Sequence, residues 1–283
     1  MRISEEYIHY TGELTENNSD AIAQSLLKMG ERGLLLFGES QDIPPLSFER
    51  RSDYRIGRDN GGDRLYFGDL GNMAVAIKRM HPDDLNEYTG ETFEQKIVND
   101  YNVTCKLNQS AAPTLEMLGI VKNYRSFGVI TKFEDNIESF DRVLWQSQTP
   151  SRDEIEHALY CAAMSAAVMH SNGIRHGDYC AQNTAQDKVT RQARVIDTTT
   201  AHFTSNTEGS RYDLWSYITT LNSTDLGVSS SHVKEEDVQQ FLLDPYAEMT
   251  QNMPSGISQS KHNAMISNIR NDVADMLRAY WVF

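Results

Sequence analysis

The 283 residues carry 26 Lys+Arg against 40 Asp+Glu, a net charge of −14 that repels phosphate backbones and argues against a nucleic-acid partner. A hydrophobic fraction of 39% with few prolines and glycines excludes a disordered or fibrous chain and fits one large domain or two lobes. The opening MRISEEYIHYTGE has no apolar signal core, no stretch is apolar enough to span a membrane, and Cys105, Cys161 and Cys180 lack metal-site or disulfide spacing, so the expectation is a soluble, cytoplasmic protein with reduced thiols.

Residues 1–18 are polar and read as loosely held. Ser19 suits the cap of a short helix carrying Ile22, Leu26, Leu27 and Met29 and closed by Gly30, and Gly33–Phe37 (GLLLF) reads as a buried strand. After a connection containing QDIPPLSFERR come three strand candidates, Tyr54–Gly57, Arg64–Leu70 and Met73–Met80, with a hairpin signal at Asn60–Gly61 and Gly62. A helix is predicted over Thr92–Gln109, with Phe93, Ile97, Val98 and Tyr101 on one face, and Leu115–Val121 and Ser126–Phe133 read as two more strands. The pattern then becomes helical. Ser151-Arg-Asp-Glu154 has the form of a capping box opening a helix with the stripe Ile155, Leu159, Ala162, Ala166, Met169, which Asn172–Gly173 ends. A short strand at Lys188–Ile196 and helices near Asp213–Leu221, Val233–Leu243 and Ala264–Tyr280 complete the chain. A β-rich first half and a helical second half predict an α+β fold of two lobes, divided near residues 133–138.

The strongest chemical signal is His176-Gly177-Asp178-Tyr179-Cys180-Ala181-Gln182-Asn183, followed after a short hairpin by Val195-Ile196-Asp197. Magnesium takes oxygen ligands, keeps waters and accepts one or two carboxylates plus substrate phosphates, so Asn183 and Asp197 are the candidate metal ligands. Asp178 is the candidate catalytic group, suited to accept or orient a hydroxyl proton. A second signal, Val75-Ala76-Ile77-Lys78, sets an ammonium in an otherwise apolar strand, where it needs an anionic partner.

Taken together, HGDYCAQN, the later Asp197 and VAIK resemble the protein-kinase-like superfamily, whose catalytic loop reads H-R-D-x-x-x-x-N. The glycine after His is similar to the loops of aminoglycoside-type phosphotransferases and of several atypical protein kinases. The resemblance covers roughly residues 54–221. It implies a β-rich N-lobe over 54–135 with one key helix, a mainly helical C-lobe over 136–283, and residues 1–53 as an extension packed on the N-lobe. It implies ATP and Mg²⁺ as cofactors. Lys78 would hold the α- and β-phosphates, and a helix glutamate would hold Lys78, with Glu94 preferred to Glu91. Gly57, Gly61 and Gly62 would lie in the phosphate-covering hairpin, and Thr131 and Phe133 in the hinge beside adenine.

The chain departs from the family in three places. Its hairpin is not G-x-G-x-x-G, Asp197 is followed by Thr198-Thr199 in place of Phe-Gly, and the segment to Asp213 is short and lacks A-P-E. Asp213-Leu214-Trp215 resembles the start of the helix that anchors the catalytic loop from below. The function expected is an ATP-dependent phosphotransferase moving a γ-phosphoryl group to a hydroxyl, with a protein Ser/Thr, even its own, slightly preferred to a small molecule. AMP transfer on the same fold and a non-catalytic scaffold remain alternatives.

Overall fold

The computed structural model describes residues 8–11, 24–26, 32–37, 46–48, 65–70, 72–80, 92–123, 126–146, 150–204, 207–221, 233–251 and 259–280. The chain divides into two compact units, Met1–Cys105 with Leu115–Glu134, and Lys106–Thr114 with Asp135–Phe283. The first is built on a β-sheet and the second is mainly helical, so the protein is a mixed α/β chain. Among the described residues no helix is long and apolar enough to cross a membrane.

The sheet unit contains β1 (Ile8–Thr11), β2 (Arg32–Phe37), β3 (Leu46–Phe48), β4 (Leu65–Leu70), β5 (Met73–Met80), β6 (Met117–Asn123) and β7 (Ser126–Lys132) in the order β1-β2-β6-β7-β5-β4-β3. Every neighbouring pair is antiparallel except β1 and β2. The run GLLLF is apolar at successive positions because β2 is buried on both faces. Leu34 and Leu36 pack with Val75, Ile77, Val121 and Ile130 on one side. Leu35 packs with Ile120, Val129 and the helix residues Ile97 and Tyr101 on the other. Burying each such side chain contributes about 1.5–3 kcal/mol. That helix is α1 (Phe93–Asn108), which starts one residue inside the predicted range, with Thr92 and Gln95 bonding each other's backbone N–H groups.

Two strands lie where the sequence suggested none. β1 forms in the polar start, because the edge of β2 offers it a ladder that alternation alone does not reveal. β3 begins just after the Pro44–Pro45 pair, where N–H groups are available again, and pairs with β4. The predicted strand Tyr54–Gly57 and the hairpin after it lie outside the described residues.

In the helical unit α2 (Arg152–Ser171) is the central element. Both halves of the capping box are present. The Ser151 side chain accepts from the Glu154 N–H at 3.3 Å, and the Ser151 N–H donates to the Glu154 carboxylate at 2.7 Å. Ala162, Ala163, Ala166 and Ala167 are all buried, which lets neighbouring elements approach the helix axis closely. Around α2 lie α3 (Thr207–Leu221), a π-helical turn at Val238–Leu243, α4 (Asp244–Thr250) and a three-stranded sheet of β8 (Ile137–Ser139), β10 (Thr184–Asp187) and β11 (Ala193–Val195). The pair β9 (Ile174–Arg175) and β12 (His202–Phe203) lies beside its C-terminus, and α5 (Gln259–Tyr280) packs on α3.

The single strand expected over Lys188–Ile196 is instead the turn and second strand of a hairpin. The carboxylate of Asp187 accepts the N–H groups of Val189 and Thr190, and Arg191 takes a left-handed conformation with φ 61°, so the chain reverses before it can extend. Helices α3 and α5 both start earlier than the sequence suggested, at Thr207 and Gln259.

Candidate active site

The β10–β11 hairpin sets the geometry of the candidate site. Thr184 pairs with Val195, so the residues just outside the ladder, Asn183 and Ile196, are brought side by side, and the Ile196 N–H donates to the Asn183 carbonyl at 2.9 Å. Asp197 follows at once. Asn183 in turn donates through Nδ2 to the backbone carbonyl of Asp178 at 2.8 Å and to its Oδ2 at 3.0 Å. Asp178 and Asn183 are therefore joined side chain to side chain within the helical unit, and Asp197 follows Ile196, whose backbone is bonded to that of Asn183.

The loop between β9 and β10 is held from behind. His176 is fully buried; its Nε2–H donates to the Ile196 carbonyl at 3.2 Å and its Nδ1 accepts the Asp178 N–H at 3.4 Å. Tyr179 is also fully buried, donates to the Ala162 carbonyl of α2 and lies against the Tyr217 ring at 5.2 Å. Asp178 itself stays exposed. Its neighbour Gly177 has φ +83°, and a Cβ there would lie 2.9 Å from the Thr200 carbonyl oxygen. The His-Gly-Asp form of this loop therefore follows from backbone geometry and crowding. Gly177→Ala is expected to destabilise the protein by about 1–2 kcal/mol and to lower the urea midpoint, since the left-handed backbone and the contact both oppose a side chain. A midpoint equal to the parent's would show that the loop relaxes freely.

Beneath the loop lies a buried carboxylate, Asp213 of α3. Its Oδ2 accepts the His176 N–H at 2.7 Å and its Oδ1 the Gly177 N–H at 3.0 Å. His170, near the end of α2, contacts Oδ2 through Nε2 at 3.2 Å, and its Nδ1 lies 2.8 Å from the Tyr246 hydroxyl of α4. The carboxylate can only accept, so Nε2–H is the donor to Asp213. Burial works against the Asp213 charge, but the His170 contact and the two N–H groups outweigh it and hold the carboxyl below the ordinary range. The resemblance implied that Asp213-Leu214-Trp215 starts the helix anchoring the loop; the helix begins earlier, at Thr207, and Asp213 lies within it. His170 and Tyr246 carried no signal in the sequence.

The remaining candidates lie in the sheet unit or outside the described residues. Lys78 of β5 faces Val129 of β7, Val129 faces Ile120 of β6, and Ile120 faces Leu35 of β2, so the four form one row on one face of the sheet. The other three members pack with Ile97 and Tyr101, so Lys78 stands on the α1 side. Glu94 is the second residue of α1, one and two turns before Ile97 and Tyr101. Thr131 of β7 faces Ala76, and its hydroxyl donates to the Ala76 carbonyl at 3.4 Å. The Phe133 N–H donates to the Ala74 carbonyl at 3.0 Å, and its ring meets Phe67 edge-on at 5.3 Å. Gly57, Gly61, Gly62 and Glu91 lie outside the described residues.

The donor set fits a hard cation. Asn183 commits its Nδ2 to Asp178, which leaves Oδ1 as the acceptor of that amide, and Asp197 adds an exposed carboxylate. Among the described residues no three His, Cys, Asp or Glu side chains are grouped to hold a metal. One carboxylate and one amide oxygen suit Mg²⁺ completed by waters and phosphate oxygens, and do not suit zinc. Burial and then the nearby Asp178 carboxylate push the Cys180 thiol up to about 12, which works against a thiolate in this loop.

No protein-family model matches the chain, and no curated protein matches it. Among solved structures it is similar to WaaP in complex with acyl carrier protein, at 13% identity and a TM-score of 0.49, over 77% of this chain and 87% of that one. A likeness at that distance carries no functional argument, which leaves the chemistry to the residues themselves.

Proposed function

We propose that the protein is an ATP-dependent phosphotransferase of the protein-kinase-like type, transferring the γ-phosphoryl group to a hydroxyl acceptor. The observation that carries this reading is the hydrogen-bonded pair of Asp178 and Asn183, tied through Ile196 to Asp197. In it Asp178 orients the acceptor hydroxyl and takes its proton as the oxygen attacks phosphorus and ADP departs. Asn183 and Asp197 hold Mg²⁺, which when bound neutralises charge on the phosphate oxygens. Lys78 holds the α- and β-phosphates and is itself held by Glu94; Gly57, Gly61 and Gly62 cover the phosphates, and Thr131 and Phe133 border the adenine. Residues 54–135 are then the N-lobe with 1–53 as its extension, and 136–283 are the C-lobe.

A protein Ser/Thr acceptor is favoured over a small molecule. Between Glu134 and Ser151 the described chain forms only the short strand β8 and a helical turn ending at Gln146, with no long helical insertion to wall a small-molecule pocket. ATP labelled separately at the α and γ positions tests the reading. The γ label is expected to reach a hydroxyl acceptor, with Mg²⁺ required. Transfer of the α label would show AMP transfer instead, and absence of both transfer and Mg²⁺-dependent ATP binding would leave a non-catalytic scaffold.

A further inference from the structure

Resting on that reading, we propose that Thr199 is a positioning residue for the Asp197 carboxylate, and that Thr198–Thr200 is a fixed strap joining that carboxylate to the loop that carries Asp178. Among the described residues two non-glycines have positive φ, Arg191 and Asp197. Arg191 is accounted for by the β10–β11 turn, where the chain must reverse. Asp197, at φ 55° and ψ 60°, lies past the end of β11 and has no such turn to close. A non-glycine in this region costs on the order of 1 kcal/mol or more and persists where its surroundings over-determine it.

The three threonines supply those surroundings. The Thr199 hydroxyl donates to Asp197 Oδ1 at 2.7 Å, and the Thr198 carbonyl accepts the Ala201 N–H at 2.9 Å, which closes a single 3₁₀ turn. The Thr200 hydroxyl donates to the His176 carbonyl at 2.8 Å, and its own carbonyl crowds Gly177, the residue before Asp178. One end of the turn thus grips the proposed metal ligand and the other grips the loop of the proposed base. A hydroxyl on a partly exposed turn ordinarily bonds water; here two consecutive ones are spent on the site. β-Branching narrows χ1 and keeps each hydroxyl on its target. A carboxylate offers about four lone-pair sites, of which the Thr199 O–H takes one. A glycine in place of Thr199, as the Phe-Gly pattern has it, would have no hydroxyl to bond Asp197.

The test compares the parent with Thr199→Val, which keeps the shape, and Thr199→Ser, which restores the hydroxyl. Two quantities are read: Mn²⁺ binding in the presence of ADP by water-proton relaxation, and amide hydrogen exchange at Ala201 in the metal-free protein. Thr199→Val is expected to bind Mn²⁺ about 5–10-fold more weakly and to exchange faster at Ala201, with Thr199→Ser close to the parent in both. If Thr199→Val equals the parent in either quantity, the strap is overturned. Should the parent itself bind no Mn²⁺–ADP, the phosphotransferase reading falls and takes the metal-positioning role with it. A parent that binds beside a Thr199→Val that binds equally well removes the strap alone.

Discussion

Asp178→Ala is expected to cut phosphoryl transfer by roughly 10²–10⁴-fold while leaving Mg²⁺–ATP binding close to that of the parent. The side chain is exposed, so its loss leaves no cavity. Asn183 donates to the Asp178 backbone carbonyl as well as to the carboxylate, so the amide keeps a partner at 2.8 Å after truncation and stays aimed. Asp197→Ala makes the contrast, since it removes a proposed cation ligand and is expected to weaken metal-dependent nucleotide binding. Single-turnover rates and equilibrium titration separate the two variants. Full turnover in Asp178→Ala would remove this residue from the chemistry.

The second large effect is structural. Asp213→Ala is expected to destabilise the protein by about 3–5 kcal/mol, because it leaves the N–H groups of His176 and Gly177 and the Nε2–H of His170 buried without their acceptor. The pH dependence has a definite sign. The folded-state pKa of Asp213 is lowered, so its contribution is complete above the ordinary carboxylate range and is lost as pH falls through the folded value. Urea denaturation of the parent and of Asp213→Asn is therefore expected to show a gap that is widest near neutrality and shrinks below about pH 4. A gap independent of pH would mean that the carboxylate's charge has no part in holding the loop.

How much of this the sequence disclosed depends on the kind of signal. Long periodic segments such as α1 and α2 were legible, since a stripe such as Ile155, Leu159, Ala162, Ala166 and Met169 fits one period only. The chemical set was legible too, because an Asp, an Asn and a second Asp at those spacings are rare and polar. What stayed hidden was pairing. Nothing within IHYT says that it will join the edge of β2, and nothing in the residues 188–196 says that Arg191 will turn left-handed and split one strand into a hairpin. The Asp213 network was half legible, because a buried histidine and a buried tyrosine look like core until their partners are known. The threonines after Asp197 read as a departure from a familiar pattern, and their hydroxyl targets emerged only with the backbone in place.

The β10–β11 hairpin works as a ruler whose marks are its ladder, Thr184 to Val195 through Gln186 to Ala193. Its tip bears no part of that measurement, and Val189 there is 80% exposed. Lengthening the tip to carry a fluorophore or an affinity tag leaves Asn183 and Asp197 where they are, whereas removing one residue from either strand turns the alternation over and swings Asp197 to the wrong side. A label placed at Val189, a short distance in sequence from the proposed chemistry, is therefore expected to leave it undisturbed.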